Sequence, residues 1–333
     1  MRILKAALPV LALLASVIGV QAQTVQTVLS YPLGIQGVAV DYVAGRTYVL
    51  LPNFNADGST AIQVLDAKSN AALATYPAPG SAAIAVNVIT GRLYVAGTVV
   101  SATNASGYEA EVFVLNQKTG AVLATIPVSA NSGPGINSLV ADPLHYTVYA
   151  ANGTDNAITV INTKTNTVKA SLDLAGQTPI IVAMNAFSGT LFASLGNNQV
   201  AIYNPYTKVL KYAAYGNNTF GLAADPIQNV EYVTDSEYDG TGTVGVLTAK
   251  GATKTSQLVG TAATGVDVDF VSNRIYVANQ ADGTIQSFTG NKGETSLTAD
   301  NTVTSDANDV KVNPVTEMIY GVGSVSLTIL SEE

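Results

Sequence analysis

The sequence predicts an all-β protein: a seven-bladed β-propeller of four-stranded antiparallel blades, its ring closed by the N-terminal strand completing the last blade. Three observations carry this. First, an Asp or Asn is followed seven positions later by an aromatic at Asp41/Tyr48, Asn87/Tyr94, Asp142/Tyr149, Asn185/Phe192, Asp225/Tyr232, Asp269/Tyr276 and Asn313/Tyr320, in steps of 46, 55, 43, 40, 44 and 44 residues. Second, a later hairpin repeats with the same period. Ile62–Thr75 aligns without a gap with Val112–Thr125 and Ile158–Ser171, and more weakly with the segments from Val200, Val244 and Ile285. Third, the repeat starts with a fourth strand and stops after a third.

The chain opens on Arg2 and Lys5, an apolar run Ala6–Val20, and Val20-Gln21-Ala22 as a signal-peptidase site. Residues 1–22 therefore read as a signal peptide. An uncleaved anchor is the alternative, although the apolar run is short for a span of about 20 residues. Residues 23–333 read as one exported domain, periplasmic or extracellular, expected to be a monomer and to have no membrane span. There is no cysteine, which removes disulfides, a lipidated N-terminal thiol and thiolate metal sites. Beyond the signal peptide, 13 Lys+Arg face 23 Asp+Glu. That balance offers no basic footprint for nucleic acid.

Thr24–Ser30 reads as a strand followed by Tyr31-Pro32, as Tyr76-Pro77 and Ile126-Pro127 close fourth strands later. The first full unit runs Gly37–Val40, a turn at Asp41–Arg46, Thr47–Leu51, a loop at Asn53–Ser59, then Ile62–Leu65, a turn and Ala71–Tyr76. The last unit has its inner hairpin around Val310–Val322 and a third strand at Val325–Leu330. Pairing Thr24–Ser30 with Val325–Leu330 would satisfy both open edges; a solenoid would need caps that the ends do not supply.

The repeated Asp and Asn suit turn initiation, since their side chains bond the backbone two residues on. Proline after Asp142 and Asp225 pre-sets the turn. The aromatic supplies area between blades, and a tyrosine hydroxyl can reach a partner.

Tyr276-Val277-Ala278-Asn279, Tyr149-Ala150-Ala151-Asn152, Tyr232-Val233-Thr234-Asp235 and Tyr94-Val95-Ala96-Gly97, with Gly45-Arg46 and Gly91-Arg92 before two of the tyrosines, resemble the signature of the YVTN-repeat β-propellers. No unit spells the tetrapeptide in full. The resemblance implies fold and export; the family is similar to lactonase-type and surface-layer propellers, and one fold hosts many activities.

Loops joining fourth to first and second to third strands share one face. The former, from Tyr31–Gln36 round to Thr304–Asp309, offer mainly Gly, Ser, Asn, Thr and Pro. Candidate ligand-binding residues are Asn137, Asp306, Asn308 and Asp309 in these loops, Asp267 on a neighbouring inner strand, and Tyr108 in the insertion Gly97–Glu111. Tyr108, with Phe54, Phe220 and Tyr238, could form an aromatic rim for a glycan or peptide. Asp235, Glu237 and Asp239, followed by Gly240, space oxygens as a calcium loop does, but position twelve is Val246 rather than glutamate. Calcium is thus the one cofactor the sequence suggests.

His145, the single histidine, falls in a first-to-second strand turn. Without a second histidine or a cysteine, zinc sites, haem ligation and Cys–His nucleophiles lack their usual groups. These residues point to an exported, non-enzymatic binding or scaffold module of the cell envelope with a protein or glycan partner. The alternatives are a lactonase-type hydrolase with a metal at the channel mouth and a structural surface protein.

Overall fold

A computed structural model describes residues 23–52, 59–100, 108–129, 135–236 and 240–332. They form seven antiparallel sheets of four strands. Six are continuous in sequence, and the inner strands that open them begin at Gly37, Ala83, Ile136, Val182, Thr219 and Ala263. We number these blades 1 to 6. Blade 7 combines Ala307–Asn313, Met318–Gly323 and Ser326–Glu332 with the N-terminal strand Gln23–Ser30. Gln23 pairs with Glu332 and Ser30 with Ser326, with one bulge between Val25 and Thr27. The ring is closed as the sequence expects, with both partners shifted by one or two residues toward the chain ends.

Side-chain alternation explains the layering. The repeated aromatics Tyr48, Tyr94, Phe192, Tyr232, Tyr276 and Tyr320 are at most 1% exposed and sit between blades among Val, Ile, Leu and Ala. Each blade hides one aromatic against its neighbour, and burying such a side chain contributes about 1.5–3 kcal/mol. The outermost strands are exposed along most of their length, as in Thr167–Asp173.

Asx turns start as the repeated residues predict. The carboxylate of Asp41 accepts the amides of Val43 and Ala44 at 3.0 and 2.8 Å, and Asn87, Asp142, Asn185, Asp225, Asp269 and Asn313 do the same in their blades. Gly45 and Gly91 end two of these turns at φ 64° and 63°, the left-handed region that glycine enters without a Cβ clash.

Two features differ from the sequence expectation. The insertion at Gly97–Glu111 extends a hairpin rather than opening a loop at once: Thr98, Val99 and Val100 pair with Ala110, Glu109 and Tyr108, as β-branched residues favour. Asn53–Gly58, with Phe54, lies outside the described residues. The inner strands of blades 3, 5, 6 and 7 also begin earlier than expected, each through a register shift near its first residues.

Candidate functional site

Those register shifts shape the mouth of the axial channel. Asn137, Thr264 and Asn308 are the extra residues between Ile136/Ser138, Ala263/Gly265 and Ala307/Asp309, and Phe220 falls in the corresponding shift of blade 5. A bulge re-aims the residue it adds. All four line the central cavity, whose volume is about 590 Å³. Further down, the walls are small and apolar: Val38, Ala83, Leu139, Val182 and Leu222 among them. At the far end Tyr42 of blade 1 and Phe270 of blade 6 meet edge to face, with centroids 6.2 Å apart, and both line the cavity beside Pro314. The channel is therefore a well, constricted at the turn face. A second cavity of about 770 Å³ shares Gln36, Asn137 and Ile180 with the well and runs outward past Ser81 and Thr98.

One wall is charged. Lys311 on the inner strand of blade 7 contacts Asp309 Oδ2 at 2.7 Å and donates to the Val310 carbonyl at 3.2 Å. Asp267 on blade 6 accepts the amides of Val268 at 2.9 Å and, across the seam, of Val312 at 2.8 Å. Burial pushes Asp267 up to about 6, opposed by the Lys311 ammonium and these two amides. Burial pulls the Lys311 ammonium down, but the charges of Asp309 and Asp267 more than offset it and its affinity for the proton is raised. The arrangement holds an ion pair beside a carboxylate that burial raises to about 6. It can orient a polar group at the edge of an apolar well.

The structure brings Asp267 and Asp309 to this wall with Asn308 and Asn137 at the mouth. Asn137 is exposed and donates to the Pro179 carbonyl at 2.8 Å. Asp306 is separate: its carboxylate accepts the Ser326 hydroxyl and lies against Gly323, because it precedes the strand and faces along the blade. Asp306 and Asp309 thus do not converge. Among the described residues no three His, Cys, Asp or Glu side chains gather in a metal-binding group. Asp235 is fully buried, and its Oδ1 accepts the amides of Asn217 and Asn218 at 2.8 and 2.6 Å. Glu237, Tyr238 and Asp239 lie outside the described residues. Tyr108 is 51% exposed where the extended hairpin starts, away from the well. His145 sits in its turn, with Nδ1 2.8 Å from Asp142 Oδ2 and Nε2 2.6 Å from the Tyr206 hydroxyl.

Sequence reasoning missed Lys311, Thr264, and the Tyr42–Phe270 contact. A lysine at an inner-strand position that is otherwise small or apolar was the available signal. It also missed Glu231 on the second strand of blade 5, which is wholly buried with neither carboxylate oxygen hydrogen-bonded. Burial holds its proton well above the usual carboxylate range, with the Asp267 charge adding to the effect.

No family model matches the chain, and no curated protein matches it in sequence. Solved structures do. The chain is similar to a Kuenenia stuttgartiensis hydrazine synthase chain, at TM-score 0.69 and 14% identity over 91% of this chain and 97% of that one. It is also similar to U3-55K, at TM-score 0.72 and 11% identity over 93% and 98%, and to the RRP9 WD40 repeats, at 0.72 and 11% over 93% and 97%. At these identities the likeness is one of fold: a seven-bladed propeller, an architecture that commonly serves as a binding scaffold. Among the described residues no helix is long and apolar enough to cross a membrane.

Proposed function

We propose that this chain is an exported binding propeller of the YVTN-repeat type, acting at the cell envelope and holding a peptide or glycan segment at the mouth of its axial well without transforming it. The observation that supports this most is the well itself: about 590 Å³, apolar below, rimmed by Asn137, Thr264 and Asn308, and constricted by Tyr42 and Phe270. Such a site combines apolar area with a few placed polar groups, as ligand sites do. The Asp309 carboxylate is already engaged by Lys311, which leaves it poorly suited to act as a general base. The signal-peptide pattern of residues 1–22 and the four Tyr-x-x-x tetrapeptides support the reading of export and family.

Isothermal titration with peptide and oligosaccharide panels tests this. A ligand should bind the natural protein and lose at least tenfold in affinity when the exposed Asn137 is replaced in Asn137→Trp, which fills the mouth without entering the core. Binding unaffected by that substitution would place the site elsewhere.

A lactonase-type activity is the second reading, and the charged wall is what favours it: Asp267 and Asp309 with Lys311 could polarise a substrate or hold a cation. Metal-dependent turnover of lactones, lost on Asp309→Asn, would favour this reading over the first.

A further inference from the structure

The face opposite the well mouth carries a pattern that neither the fold nor the proposed site requires. In every blade the residue two positions after the turn-starting Asp or Asn is apolar, from Val43 in blade 1 to Val315 in blade 7. The amide of that residue is tied back to the Asx side chain in all seven turns. Turn chemistry uses only this amide and sets no demand on the side chain. Yet Val43, Ile89, Phe187, Ile227 and Val315 are between 42% and 65% exposed, with Leu144 and Val271 half-buried in the same ring. Single exposed apolar residues are ordinary; a ring of them around one axis is not.

Outside this ring lies a second one. Each of the six blades that has a third-to-fourth strand turn places one lysine there: Lys68, Lys118, Lys164, Lys208, Lys250 and Lys292, all exposed. Because neighbouring strands are antiparallel, these turns share the face of the Asx turns. Every Lys and Arg among the described residues lies on this face or in the strand halves beside it.

The acidic groups here are mostly silenced. Asp41, Asp142, Asp225, Asp269 and Glu294 are buried and Glu332 is paired with Arg274; Asp66 stays ionised at the surface, its carboxylate held by its own turn amides beside Lys68. With Asp66, Glu317 is a surface carboxylate of this face, against six exposed lysines. Tyr146 and Tyr206, 46% and 62% exposed, stand between the two rings, with the Lys164 ammonium 3.9 Å from the Tyr146 ring centre. In a chain of net charge −8, one face is therefore apolar at its centre and cationic at its rim.

We propose that this face docks on an anionic lipid bilayer surface, with the Asx-turn ring entering the interface and the lysine ring over the headgroups. Apolar side chains flanked by lysines and interfacial tyrosines are what such a surface selects. The charges lie at nearly every azimuth of the ring, which matches a laterally uniform anionic plane. Docked this way, the well mouth points away from the bilayer and stays open to a ligand.

Sedimentation of the whole protein with phosphatidylglycerol/phosphatidylcholine vesicles tests the proposal. We expect binding that weakens at least tenfold between low salt and 0.5 M salt, and little binding to phosphatidylcholine alone, as counterion-driven attraction requires. The combined change Lys68→Gln, Lys118→Gln, Lys164→Gln and Lys208→Gln should lower vesicle affinity at least tenfold. Phe187→Ser with Ile227→Ser should do so too, with melting temperatures preserved. Glu109→Gln on the opposite face should leave binding unchanged. Absence of binding to the anionic vesicles, or binding indifferent to both sets of changes, would overturn the proposal. So would a lipid-free dimer abolished by the same changes, which would assign the face to a second copy of the chain.

Discussion

Arg274 Nη1 lies 2.9 Å from Glu332 Oε2, with both side chains at most 8% exposed, at the point where the two ends of the ring meet. The equivalent arginines explain the pair. Arg46 and Arg92 also open a second strand, and each donates to a carbonyl in the next blade's third-to-fourth strand turn: Gln117 at 3.3 Å and Thr163 at 2.7 Å. Blade 7 has no such turn, because Glu332 and Gln23 stand there as paired strand ends. A carboxylate replaces the missing carbonyl. Among the repeated tyrosines, Tyr48 and Tyr320 donate toward the next blade's turn, whereas the buried hydroxyls of Tyr94 and Tyr276 have no hydrogen-bond partner.

Removing one member of this pair should cost far more than removing both. Glu332→Leu leaves the buried guanidinium with only the Asp300 carboxylate, 3.8 Å from its Nε, and loss of one partner of a buried pair costs up to about 3–5 kcal/mol. Arg274→Met with Glu332→Leu should recover most of that loss. A double-mutant cycle by chemical denaturation reads the coupling; additive effects would show that the pair does not hold the seam.

Deleting Gln23–Ser30 should leave Ser326–Glu332 as an unpaired outer edge of blade 7. We expect a lower melting temperature and aggregation, measured by scanning calorimetry and light scattering. A truncated protein that melts at the parent temperature and stays monomeric would contradict the closure.

Stability should fall as pH rises from about 4 to 7. Burial raises Asp267 and Asp225 to about 6 and holds Glu231 well above its ordinary range. Each therefore keeps its proton in the folded state over a pH range where the unfolded chain has lost it. The folded state binds more protons, so raising pH costs about 1.4 kcal/mol per unit for each proton of difference. Glu231→Met removes an unpartnered buried carboxylate and should raise the melting temperature at pH 7 by about 3 °C or more while flattening its pH dependence. Thermal melts at pH 5 and 7 check both; a variant less stable at pH 7 would show that Glu231 has a partner worth keeping.

Asp235 already accepts two amides through one oxygen, so its role in holding Gly216–Asn218 does not need an ion. Asp235→Ala should lower the melting temperature equally in calcium and in chelator. A loss seen only in calcium would assign Asp235, Glu237 and Asp239 to ion binding.

The blade pattern was legible because each repeated residue does a local job: Asx side chains start turns, and the aromatic seven positions on must be buried. Closure was legible for the same reason, since a lone fourth strand needs a third. The well was not. Tyr42 and Phe270 sit in equivalent turns of non-adjacent blades, and only the ring's curvature brings them together. Asp306 and Asp309 are close in sequence, but the register shift after Ala307 separates their directions. Lys311 is tolerated inside only because Asp309 and Asp267 reach it from two blades, which no local pattern encodes.

The central claim is that the loop face binds a ligand and does not transform it. Native mass spectrometry across peptide, oligosaccharide and lactone panels, with and without divalent metals, reads bound ligand and product in one sample. The account predicts an unmodified ligand retained by the natural protein and lost in Asn137→Trp. Catalytic release of product, abolished by Asp309→Asn, would contradict it.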